Sequence, residues 1–129
     1  MIRTFLKSKI HRATVTEVDL NYEGSLGIDA DLMKAANILR YELVQVYNIN
    51  NGERFETYAI EEPAGSGTIA LKGAAARKGA RGDLIIIICY TTIDDKNLGD
   101  FKPAIVLVDK NNKLSSVSLR NWSSGQVVD

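Results

Sequence analysis

Two residue types that often carry chemistry are almost absent from this chain. It has one cysteine, Cys89, and one histidine, His11, in 129 residues. A single thiol cannot build a disulfide framework within a chain, which fits a reducing cytoplasm without establishing it. No Cys or His spacing matches a zinc pattern, so no metal is expected. A lone histidine is more often structural than a ligand. Charge of one sign is missing too: 16 Lys and Arg balance 16 Asp and Glu, for a formal net charge of +0. Bulk charge thus gives no reason to expect a nucleic acid or an anionic membrane as partner. No apolar run approaches the roughly 18 residues of a membrane span. The opening MIRTFLKSKIHRATV lacks the continuous apolar core of a secretory signal. AGSGT at 64–68 is glycine-rich but lacks the Gly-Lys-Ser/Thr ending of a phosphate loop. We read it as a hairpin loop.

What is present points to one globular domain, residues 1–129. The chain is 45% hydrophobic and 25% charged, ordinary values for a folded soluble protein. Most of it reads as strands. Residues 2–19 carry β-branched side chains with imperfect alternation and predict one or two strands. Residues 43–49 alternate, NNG at 50–52 signals a turn, and 53–61 return as the partner strand. A loop at 62–67 precedes a short strand at 68–71. DLIIIICYTT at 83–92 is nearly all apolar, as expected of a strand buried on both faces. Further strands are predicted at 103–109 and, after a turn at 110–113, at 114–119. The tail 121–129 reads as frayed or as a peripheral contact.

One helix is expected in DADLMKAANILR, with Asp29 as N-cap, Asp31 near the positive end and Asn37 as the stop. Leu32, Ala35 and Ala36 form its apolar stripe. The glycines of GAAARKGARGD at 73–83 argue against more than a short helical turn there. Many short strands with few short helices predict a mainly β fold of the small-barrel kind.

Few residues announce chemistry by spacing alone. Arg54 and Tyr58 share one face of their strand, and Phe55 and Thr57 share the other. An alternating surface strand accounts for all four. GAAARKG could offer backbone N–H groups to an anion, but a tight turn between strands accounts for it equally well. NYEGSLGID at 21–29 sets Gly24 beside Ser25 between apolar residues. It is either a turn, with Gly24 at an unusual φ, or a peptide bond placed for attack by its own serine. Composition and periodicity leave that choice open.

Four longer stretches close the gap: KSKIHRATVTEVDLNYEGS (7–25), NNGERFETYAI (50–60), GAAARKGARGDLIII (73–87) and KPAIVLVD (102–109). Together, and in this order, they resemble bacterial aspartate 1-decarboxylase, a family of self-processing, pyruvoyl-dependent enzymes. The resemblance implies a double-psi β-barrel and a homotetramer with active sites between subunits. It implies L-aspartate as substrate, β-alanine as product and a place in pantothenate and coenzyme A synthesis. Whether a maturation partner is needed is left open.

By the same resemblance, the bond between Gly24 and Ser25 is cut autocatalytically. The Ser25 hydroxyl would attack the Gly24 carbonyl, giving an ester; elimination and hydrolysis would leave a covalent pyruvoyl group at residue 25. A β chain of 1–24 and an α chain of 25–129 result. Gly24 lacks a Cβ, which would permit a strained backbone and close approach of the nucleophile. Thr57 matches the position that stabilises the developing oxyanion, and Tyr22 one near the cleavage loop. The pyruvoyl ketone would hold the substrate as a Schiff base and act as electron sink, the work PLP does elsewhere, with no PLP required. Tyr58 matches the proton donor. Lys9, His11 and Arg54 match the substrate pocket, and the backbone N–H groups of Gly73, Ala74 and Ala75 match its anchoring loop.

One position departs from the family pattern. The residue before GAAA is asparagine in the family and Lys72 here. Asparagine both donates and accepts; lysine only donates and adds charge. Two other readings follow: a processing-defective, zymogen-like member of the family, or a non-enzymatic binding barrel.

Overall fold

The computed structural model describes residues 1–128. The chain is mainly β, with ten strands: β1 (Ile2–Thr14), β2 (Glu17–Asp19), β3 (Ser25–Asp29), β4 (Leu43–Asn48), β5 (Arg54–Glu62), β6 (Ile69–Lys72), β7 (Leu84–Asp94), β8 (Ala104–Val108), β9 (Leu114–Arg120) and β10 (Val127–Val128). The one α-helix among the described residues is α1 (Ala30–Ala35). Gly73–Lys78 and Asp95–Asn97 are short 3-10 helices. No helix is long and apolar enough to cross a membrane among the described residues.

The strands join in the order β10-β9-β8-β1-β7-β4-β5-β3-β6-β2, mixing parallel and antiparallel neighbours. One hydrophobic cluster draws Ile10, Leu26, Ile28, Val44, Ala59, Ile69, Leu71, Ile87 and Val106 together. Those residues come from β8 at one side of the order to β6 at the other. A flat sheet could not deliver both to one core, so the sheet is rolled.

Local sequence explains most of the elements. The imperfect alternation of residues 2–19 has a cause: β1 shifts register against β7 between Leu6 and Ser8 and again between Ile10 and Ala13. The β4–β5 hairpin forms as expected, with Gly52 at φ +77° in its turn. Asp29 caps α1 by accepting from Asp31 N at 2.8 Å, and Asn37, at φ +54°, stops it.

Three expectations need correction. AGSGT is not a hairpin loop. The strands it joins, β5 and β6, are separated by β3, so the segment crosses over that strand. Asp29 steadies the crossover, accepting from Gly65 N at 3.0 Å and Gly67 N at 2.8 Å. The stretch 83–92 is buried on successive positions only at Ile87–Cys89; Tyr90 beyond them is exposed. Of the two readings of the tail, fraying is corrected through 128 and the peripheral contact holds: β10 pairs with β9 at the end of the strand order, Val127 opposite Arg120. Asp129, the last residue of that predicted tail, lies outside the described residues.

Candidate active site

Residues Leu20–Gly24 form an exposed loop, and at Ser25 the chain turns abruptly inward to begin β3. Ser25 is completely buried, and its Oγ has no hydrogen-bond partner. A buried hydroxyl left in this way costs about 1–3 kcal/mol, so its persistence at a loop–strand junction calls for a reason.

The sheet register sets its neighbours. Ser25 stands directly opposite Lys72 on β6. On the other side β3 runs parallel to β5 with Leu26 paired to Ala59. Carried back one residue, that register puts Tyr58 beside Ser25 and Thr57 level with Gly24. Tyr58, Ser25 and Lys72 thus form a row across three strands, about 4.8 Å apart per step. Thr57 points to the opposite face of β5. There it lines a cavity of about 160 Å³ with Gly24, Phe55, Glu56, Ala74, Ala75 and Lys78.

Gly24 itself is not strained. Its φ is not positive, and a Cβ built on it would meet nothing within 4 Å. The close approach belongs to Gly73. At φ +66° it brings its backbone so near the loop that a Cβ there would lie 2.6 Å from both Gly24 Cα and the Tyr22 carbonyl oxygen. The unusual φ and the strain expected at Gly24 are corrected, while the turn stands with Ser25 opening the next strand: the missing side chain that matters is across the gap. Gly73 opens the 3-10 helix that carries Ala74 and Ala75, whose leading N–H groups lack helical partners.

Residues 1–115 match the family model described as Aspartate decarboxylase. The chain belongs to the aspartate decarboxylase family. It is 58% identical over 120 residues to the Aspartate 1-decarboxylase of Syntrophobacter fumaroxidans, covering 93% of this chain and 97% of that one. It is 58% identical over 113 residues to that of Thermoanaerobacter pseudethanolicus (88% and 97% covered). For that of Desulfotalea psychrophila the figures are 53% over 117 residues, with 91% and 98% covered.

Within one chain of this aspartate decarboxylase family member, the expected site residues fall into separate places. Lys9 and His11 lie on β1 and open into another cavity, of about 470 Å³, with Pro103, Ile105, Arg120 and Trp122. His11 Nδ1 is buried without a partner. Burial, then the nearby Lys9 and Arg12 charges, hold its imidazole below the usual 6.5, favouring the neutral form. Arg54 sits at the far end of β5, about 13 Å from Tyr58 along the strand. Its guanidinium stacks 3.7 Å from the centre of the Tyr47 ring. The Tyr47 hydroxyl meets that of Tyr90 at 3.1 Å. Tyr58 packs edge-on against Tyr41, with ring centres 5.9 Å apart. Among the described residues no group of His, Cys, Asp or Glu is arranged to hold a metal.

The departure at Lys72 is embedded in its surroundings. Its Nζ lies 2.8 Å from Glu62 Oε1, with both side chains about 15% exposed, and 4.3 Å from the centre of the Tyr22 ring. Oε1 receives no well-aligned hydrogen bond, so the contact is ionic rather than directed. Burial alone would lower the Lys72 ammonium. Contact with Glu62, helped by Tyr22 and Glu17, outweighs burial and holds it above the usual 10.5.

Sequence reasoning missed Tyr47 and Glu62. Tyr47 was within reach: the NNG hairpin pairs it with Arg54. Glu62 carried no signal, because its contact depends on the crossover that brings β6 to the far side of β3.

Proposed function

We propose that this chain removes the α-carboxylate of L-aspartate, giving β-alanine and CO2, after cutting its own Gly24–Ser25 bond. In a member of the aspartate decarboxylase family, the observation that carries this reading is the Ser25 hydroxyl, buried and unpartnered at the end of an exposed loop. A hydroxyl with no competing hydrogen bond is available as a nucleophile. Its attack on the Gly24 carbonyl carbon exchanges the amide for an ester and frees the Ser25 nitrogen. Thr57, in the cavity with Gly24, is suited to donate to the oxyanion of that step, a role worth roughly 3 kcal/mol in other systems. Tyr22 belongs to the loop that must hold still meanwhile.

Residue 25 fits as the source of the covalent pyruvoyl group, since serine supplies its three carbons. That group supplies a ketone that takes up the substrate amine and draws off the electrons left as CO2 departs, so this reading uses neither PLP nor metal. Tyr58, next to residue 25 in the row, delivers the proton that completes the product. Arg54 is suited to clamp a carboxylate bidentately, and its stacking on Tyr47 fixes the plane of the fork. Lys9 and neutral His11 line the rest of the pocket. The N–H groups of Gly73, Ala74 and Ala75 anchor the other end of the substrate.

Lys9 and His11 line a different cavity from Gly24 and Thr57 in one chain. This separation supports a site completed across subunit boundaries in a homotetramer. The rolled mixed sheet fits the double-psi barrel of the family, and the product places the enzyme in cytoplasmic pantothenate and coenzyme A synthesis. No nucleic acid or membrane takes part.

Intact mass and a β-alanine assay on one preparation test the reading. We expect a fragment ending at Gly24 and a fragment 25–129 lighter by one ammonia than its serine-started counterpart. An intact chain would sink self-cleavage and leave a zymogen-like protein. A cut chain that releases no β-alanine from L-aspartate would sink the substrate.

A further inference from the structure

Lys72 and Gly73 are consecutive, and between them they grip both sides of the loop that carries the Gly24–Ser25 bond. Gly73 presses its backbone against Gly24 and the Tyr22 carbonyl. Lys72 sets its ammonium over the Tyr22 ring. The ammonium does not stand free, because Glu62 meets it at 2.8 Å.

The position of Glu62 is built rather than incidental. Ser25, Gly27 and Asp29 share one face of β3. Lys72 stands opposite Ser25, and Glu62 stands opposite Asp29 on the other flanking strand. The two side chains therefore approach each other along β3 and meet over Gly27. A Cβ on Gly27 would overlap Glu62 Oε1 and lie 2.9 Å from its Cγ. The missing side chain at Gly27 is the seat of this carboxylate. Both charges are largely withdrawn from water, and such a pair is sound only while both members are present.

Resting on the self-cleavage proposed above, we infer that Glu62 is a positioning residue for that cleavage, acting through Lys72 on the Tyr22–Ser25 loop. Glu62 fixes the ammonium, the ammonium fixes the Tyr22 ring, and the ring holds the Gly24 carbonyl within reach of Ser25 Oγ. Glu62 touches neither reacting atom. The lysine is tolerated in place of asparagine because Glu62 accompanies it. Lys72→Asn alone is then no simple return to the family pattern, since it strands a buried carboxylate over Gly27.

The test follows release of fragment 1–24 by intact mass, from precursor purified cold and then warmed to a temperature where every variant is folded. Melting temperatures come from the same variants on a Ser25→Ala background, which cannot cut itself. Glu62→Gln should cleave about tenfold or more slowly, as expected when a reacting group is misplaced. Lys72→Arg keeps the ion pair and the ring contact and should stay within about threefold of wild type. Glu62→Gln with Lys72→Asn should cleave faster than Glu62→Gln alone, the coupling expected of a contacting pair. A Glu62→Gln protein that melts lower yet cleaves at the wild-type rate overturns the inference, leaving Glu62 a purely structural residue. If Glu62→Gln does not fold, Lys72→Met decides: a wild-type rate overturns the inference, and slow cleavage by a folded Lys72→Met protein supports it. A wild-type chain that never cuts itself fails the underlying reading and takes this inference with it. A wild-type chain that cuts, beside an equally fast Glu62→Gln, fails this inference alone.

Discussion

Around Ser25 the charges are answered; around His11 they are not. Lys72 meets Glu62, and Lys78, on the wall of the Gly24 cavity, meets Glu53 at 3.1 Å. Glu56 on the same wall accepts from Gln45 at 2.8 Å, and the buried polar atoms left without a hydrogen bond are the Ser25 hydroxyl and Glu62 Oε1. In the larger cavity Lys9 makes no ion pair among the described residues, and His11 Nδ1 and Arg120 Nε are buried without partners. The first region is complete before any ligand arrives, as an intramolecular reaction requires. The second carries positive charge that a dicarboxylate would neutralise. Self-cleavage and substrate binding are, on this comparison, separable by mutation.

The sharpest break is Ser25→Ala, which removes the hydroxyl proposed as the nucleophile. We expect an intact chain on a denaturing gel and no β-alanine. Cutting at the same bond in that variant would reject the mechanism. Next comes Tyr58→Phe, which keeps the ring and removes the hydroxyl. Cleavage should proceed, while decarboxylation falls by ~100–10,000-fold, the usual worth of general-acid help. Normal turnover by a fully cleaved Tyr58→Phe enzyme would take the proton-donor role from Tyr58.

A smaller effect separates the two glycines. Gly73→Ala forces a Cβ into backbone 2.6 Å away at φ +66°, and should cost about 1–3 kcal/mol of stability. Gly24→Ala places its Cβ in open space and should melt within a degree or two of its parent, the shift expected of a minor surface change. Thermal melts on a Ser25→Ala background check both. Equal losses would mean the loop does not sit against Gly73 as described.

The smallest effect concerns His11. Its folded imidazole titrates below the unfolded value of 6.5, so below that value the unfolded chain binds more protons. Stability should therefore fall as pH drops from above 6.5 through the folded value. His11→Gln should remove that part of the pH dependence, read as parallel melting curves across the window. An unchanged slope would place the titration elsewhere.

Much of this was legible in the sequence, for identifiable reasons. The β4–β5 hairpin, α1 and the apolar β7 each carry their own periodicity or turn chemistry. β3 does not. SLGID is five residues, all buried, with a glycine at its centre and polar ends, so no alternation marks it. Missing it hid the crossover at 62–68 and the row Tyr58–Ser25–Lys72, because both depend on which strand lies between β5 and β6. The candidate residues came from resemblance to a family, not from spacing. Resemblance could not reveal Glu62, whose partner is the residue that departs from the pattern.

The place of β1 in the sheet would give the proposed cut a direction in time. β1 lies between β8 and β7, deep in the strand order, and Asn112 binds both the N–H and the carbonyl of Thr14 at 2.8 Å. Breaking the bond after Gly24 releases none of these contacts, so fragment 1–24 stays as a strand without a tether. Before the cut, folding is a unimolecular event. Afterwards a denatured molecule is two chains, and recovery requires them to find each other at the concentration available. The burial of Ser25 and the approach of Gly73 exist only in the folded chain. Maturation by the proposed cut would thus be a ratchet: the protein would have to fold once as a single chain, and its lifetime thereafter would depend on how slowly it opens.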